Sequence, residues 1–194
     1  MSIDRAKTAR GALAGAVAAL VWAAQQPLDK RAFGVPYDDC EFLGAGVTDG
    51  PAALPLGWVL HTVNGAAFGA AYANVVPRLP LPSWARGPAV ALVESTVLWP
   101  GTAFVPRLHP RASRFPQLWG SRPAFAQATW RHLLFGVIMG ELERRLNATE
   151  VAEVPPSYEH VASTNGHGTL DHALVAITPV APGDDADDAE DAEA

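Results

Sequence analysis

The sequence predicts an all-α protein: a four-helix transmembrane bundle carrying a disordered acidic C-terminal tail. Three observations lead there. Four apolar runs recur between prolines, over about 11–28, 56–76, 89–105 and 124–142. Tryptophans gather at the ends of those runs, where an amphipathic ring suits the headgroup region. Charge is also segregated: from Pro155 onward there are nine acids and no Lys or Arg, so the formal charge of −6 divides into about +3 for the body and about −9 for the tail. The expected organisation is a membrane domain over 1–150 and a disordered acidic tail over 151–194.

The first run, Gly11 to Ala24, is built of small residues and follows Arg5, Lys7 and Arg10. A basic start before a short apolar stretch has the shape of a signal peptide. More apolar runs follow, however, and the small residues share one helix face, which favours a first spanning helix ending at Leu28. The second run, Leu56 to Val76, is uncharged and opens at Trp58. Its roughly 21 residues span about 30 Å at 1.5 Å each, the hydrocarbon thickness of a bilayer. The third, Ala89 to Val105, carries Glu94 and sits between Trp84 and Trp99. The fourth, Ala124 to Leu142, contains Arg131 and His132. A charge at mid-span costs about 2.5–3.5 kcal/mol even on permissive scales, so Arg131 needs a partner. Pro55, Pro77, Pro88, Pro106 and Pro123 are expected to flank the helices, where a missing backbone donor costs least. Asp29 to Leu54, with Tyr37, Asp38 and Asp39, reads as a loop holding a short helix or surface cap.

Four spans return both termini to one side. That side is assigned to the cytoplasm, because the first helix often sets orientation and Arg144–Arg145 closes the last. The expected location is the inner (plasma) membrane, multi-pass. The expected partners are the lipid bilayer and either further copies of the chain or another membrane protein.

Small residues recur every fourth position: Gly11, Gly15, Ala19 and Ala23; Gly65, Gly69 and Ala73; Ala128, Gly136 and Gly140. In lipid no hydrophobic force draws helices together, so close backbone approach through such stripes is expected to pack them. The stripes turn His61 and His132 inward. At 1.5 Å per residue, Gln25, His61, Asn64, Glu94, Arg131 and His132 fall into one loose polar layer. Glu94 is the expected counter-ion of Arg131.

Composition narrows function by exclusion. Cys40 is the only cysteine, which rules out an intrachain disulfide and any CxxC motif. The acidic tail argues against nucleic acid as its partner. No GxSxG, HExxH or P-loop pattern occurs, so no catalytic residue, metal site or cofactor is assigned, and the chain leans away from being an enzyme. His160, His167, Asp171 and His172 in the tail, and Asp38, Asp39 and Glu41 in the first loop, read as solvated groups. The leading expectation is a non-catalytic scaffold or assembly subunit, in which the polar layer fixes helix register. One alternative is a proton- or ion-coupled transport component using His61, Glu94, Arg131 and His132. Another is a b-type haem unit ligated by His61 and His132.

Three strings carry a resemblance: QQPLDKRAFG at 25–34, HTVNGAAFGAAYANVV at 61–76 and QATWRHLLFGVIMGELERRL at 127–146. With them the chain resembles small four-span bacterial membrane proteins of no assigned activity. The resemblance covers about three-quarters of the chain and implies a membrane location, with no catalytic or binding residue to carry over.

Overall fold

The computed structural model describes residues 4–148, whose regular elements are all helices, with no strand among the described residues. The acidic tail expected over 151–194 lies outside the described residues. Helix α1 runs Arg5–Phe33, α2 Asp39–Val47, α3 Ala53–Val75 and α4 Ser83–Leu98. From Trp99 the chain tightens into 3-10 turns to Phe104, then the single-turn α5, Val105–Leu108; α6 runs Arg122–Leu146.

Local chemistry sets the boundaries. The Asp4 carboxylate accepts from the Ala6 and Lys7 amides at 2.9 and 3.1 Å and starts α1. Gly34 ends it in the left-handed region, φ +66°, just past Lys30 and Arg31 in the last turn. Asp38 caps α2 by accepting from the Glu41 amide at 3.0 Å. Ser121 caps α6, with Pro123 inside its first turn, where no donor is lost. One proline expectation is corrected: Pro88 lies inside α4. Helix α1 continues past the expected end at Leu28. That overrun of one and a half turns carries Asp29 into the bundle.

Helix α1 is central. It packs most extensively on α3 and also on α6; α6 in turn packs on α4, while α2 lies on α3. The contacts use bare backbone. A Cβ on Gly11 would reach within 2.5 Å of the Ala73 methyl, and one on Gly15 would overlap the Gly65 carbonyl. On the other side, Gly87 of α4 lies against Gly136 and Gly140 of α6. Gly44 and Gly57 set α2 against α3 in the same way, a contact with no counterpart in the expected stripes. Ala14, Ala18, Trp22, Tyr72, Ala91, Phe135 and Met139 fill the core between these seams.

Two helical runs are long and apolar enough to cross a membrane: α1, with 29 residues, and Ser83–Leu108, with 26. They point to a membrane location. Helices α3 and α6 are not among them, although Leu56 to Val76 looked the clearest span by sequence. The reason is compositional. The second run lacks charge, but Gly, Ala, Thr62, His61 and Asn64 make it far less apolar than a Leu-rich span.

Candidate functional site

A buried ion cluster joins the three central elements. Extending the α1 stripe from Gly15 through Ala18 and Trp22 reaches Gln26 and Asp29, both buried. Asp29 is 2% exposed and Arg131 of α6 is 1% exposed. Arg131 Nε and Nη2 donate to Asp29 Oδ2 and Oδ1, each at 2.6 Å. This fork-on-fork geometry is the strongest form of the pair. Arg131 Nη1 donates to Asp39 Oδ2 at 2.6 Å, and Nη2 also to the Tyr37 carbonyl at 3.0 Å. The Tyr37 ring stacks under the guanidinium, 5.8 Å from Cζ to centroid. Asp29 collects two further donors, Gln127 at 2.9 Å and Gln25 at 2.6 Å. Gln26 accepts from the Asp39 amide at 2.8 Å, and Trp22 Nε1 donates to Asp39 Oδ2 at 2.9 Å. Every nitrogen of the Arg131 guanidinium has a partner, and α1, α2 and α6 are tied at one point.

The expected Glu94–Arg131 pair is therefore corrected. Arg131 is held by Asp29 and Asp39, which the sequence placed in the first loop, with Asp39 read as solvated. Glu94 instead meets His132, Oε2 to Nε2 at 3.1 Å. Gln25 is half-buried and also accepts from Trp130 Nε1 at 3.3 Å; its neighbour Gln26 takes the core position. Asn64 is exposed at the cavity rim.

The His132 ring has an informative geometry. Nδ1 lies 2.7 Å from the Ala128 carbonyl, which only accepts, so Nδ1 carries a proton. Nε2 faces a carboxyl. His132 has no nitrogen free for iron, and Trp22 packs edge-on against both His132 and His61, with centroids 4.7 and 5.2 Å away. That arrangement speaks against a haem held between the two histidines.

His61 differs. It is 7% exposed, and its Nε2 is buried without a hydrogen-bond partner. It lines a cavity of about 230 Å³ bounded by Trp22, Phe68, Phe135, Glu94 and His132, where α3 makes little contact with α4. A second cavity of about 130 Å³, reaching Ser95, Gln127 and Arg131, adjoins it across Trp22, Tyr37, Asp39 and His132. Among the described residues no group of three His, Cys, Asp or Glu is arranged to hold a metal.

Two groups at the α2 end have shifted acidities. Burial pushes the Cys40 thiol up to about 12, so at neutral pH it stays protonated and a poor nucleophile. Burial alone would raise Asp38, but hydrogen bonds from Lys30 and from the Glu41 and Cys40 amides outweigh it and hold the carboxyl below its usual value. Asp38 stabilises the fold while ionised, and that contribution fades as pH falls below the ordinary carboxylate range.

Comparison with protein-family models, curated proteins and solved structures finds no match for this chain. The functional reading therefore rests on geometry.

Proposed function

We propose that the chain is a four-span integral membrane protein of the inner membrane, a non-catalytic scaffold or assembly subunit whose polar interior fixes helix register. One observation carries the reading: the bundle buries a polar cluster within its apolar core while its outward faces carry large apolar side chains. Its largest fully buried side chain is Arg131, and Gln26, Asp29, His61, Ser95, Gln127 and Glu143 are buried with it. The outward faces carry Leu13, Val17 and Leu20 on α1, Val59 and Val63 on α3, Trp84, Val93 and Val97 on α4, and Phe125, Trp130 and Val137 on α6. In water such a surface would be an aggregation liability; in lipid it is the favourable solvent contact. This pattern supports spans at α3 and α6 as well, where His61, Gln127 and Arg131 are buried while Val59, Val63, Phe125 and Val137 are exposed. Both termini lie on one side of such a bundle, and the resemblance to small four-span bacterial membrane proteins agrees. The test is extraction. The protein should sediment with membranes and resist alkaline carbonate, yielding only to detergent; release into the soluble fraction would end the four-span reading.

A second reading, proton- or ion-coupled transport, is favoured by the Glu94–His132 pair facing the same cavity as His61. Proteoliposomes holding the purified chain should then show a proton flux that Glu94→Gln abolishes. A wild-type flux no greater than that of empty liposomes returns the layer to a purely structural role.

A further inference from the structure

The cavity between α3 and α4 has an unmet chemical demand. His61 Nε2 is buried, lacks a partner and belongs to a ring that lines it. The other ring nitrogen faces the backbone of Ala19. A ring nitrogen that donates to a carbonyl carries the proton, which leaves the opposite nitrogen as a lone pair. Nε2 is therefore an acceptor waiting for a donor.

Charge adds a second demand. The Glu94 carboxyl lines the cavity beside His132. Beside it, the carboxylates of Asp29, Asp38 and Asp39 face only Lys30 and Arg131. One negative charge is left over, and the α2 N-terminus at Asp39 offsets only part of it. Asp39 itself lines the cavity. Asp39 is only partly exposed to solvent, and a cation in the cavity would balance the remaining charge. The walls suit an organic cation: Trp22, Phe42, Phe68 and Phe135 present aromatic rings to the same space.

We propose that this cavity binds a small primary ammonium ion, its N–H donating to His61 Nε2, its charge set against Asp39 and Glu94, and its alkyl chain among the aromatic rings. The inference goes beyond the scaffold reading and does not depend on it, because the cavity lies within the described fold whatever surrounds the bundle.

The test is isothermal titration calorimetry of the full chain, purified in a maltoside detergent that itself carries no amine. Titrants are n-butylammonium, n-butanol, tetramethylammonium and K⁺. Saturable binding of butylammonium, at least tenfold tighter than butanol or tetramethylammonium, is expected; the alcohol lacks the charge and the quaternary ion lacks the N–H. A hydrogen bond to a charged group is commonly worth about tenfold or more, so His61→Phe should weaken butylammonium by at least that factor. His61→Gln, which keeps a carbonyl acceptor, should retain most of it. Equal binding of butanol would overturn the charge argument. Equal binding of tetramethylammonium, or an unchanged affinity in His61→Phe, would overturn the assignment of His61. Binding of K⁺ alone would make this an inorganic cation site, and no binding of any titrant would leave the cavity to water; either result overturns the proposal. If neither His61 variant folds, the ligand series on the unaltered protein still decides it.

Discussion

Replacing Arg131 with Met should lower the stability of the detergent-solubilised protein by about 3–5 kcal/mol, the usual cost of breaking a buried ion pair from one side. The magnitude comes from what is left behind. Asp29 is 2% exposed and takes two of its four hydrogen bonds from the guanidinium. Without Arg131, Asp29 and Asp39 are two carboxylates with only amide and indole donors between them. The double variant Asp29→Asn with Arg131→Met should be more stable than the sum of the single losses predicts, because the stranded charge goes with its partner. Thermal or denaturant unfolding of the four proteins measures this coupling. A parallel cycle of Glu94→Gln with Arg131→Met should return a smaller coupling, since Glu94 bonds His132 instead. Equal couplings would restore the pairing that the sequence suggested.

The two pairings show where the sequence was legible. Helices α1, α3 and α6 cover the first, second and fourth apolar runs, whereas the third begins inside α4 and passes after Leu98 into 3-10 turns; the small-residue positions Gly11, Gly15, Gly65, Gly69, Gly136 and Gly140 lie at helix seams. The ion partner was hidden by a boundary. Ending α1 at Leu28, where the apolar run stops, sent Asp29 into a loop. A helix with Lys30 and Arg31 in its last turn and Gly34 beyond is a better-terminated element, and those signals were present. Once α1 runs on, the spacing 15, 18, 22, 26, 29 keeps one face and turns Asp29 toward the bundle. Asp39 was less accessible to reasoning. It reaches Arg131 only because α2 folds back onto α3 through Gly44 and Gly57, a long-range approach that no local pattern encodes. The cavity was illegible for a similar reason, since it depends on how little α3 touches α4.

The glycine seams carry the other large effect, and its sign is diagnostic. Replacing a helical glycine by alanine normally stabilises by about 0.5–1 kcal/mol, because the unfolded chain loses freedom and the helix gains a better former. Gly15→Ala should do the opposite. Its methyl would occupy the space of the Gly65 carbonyl, and backbone on a facing helix cannot turn aside as a side chain can. Moving α3 away would loosen the most extensive packing in the bundle, which also positions His61. A net loss of about 1–3 kcal/mol is expected, the range for overpacking a tight interior. Gly136→Ala should behave alike at the α4–α6 seam, where Gly87 supplies the facing backbone. Gly101→Ala is the control: nothing lies within 4 Å of its added carbon, so its stability should stay within about 0.5 kcal/mol of the parent. All three are read by unfolding in the same detergent. If Gly15→Ala matched Gly101→Ala, the backbones of α1 and α3 would not touch at Gly15 and Gly65. The α1 stripe could then no longer set the depth at which Asp29 meets Arg131.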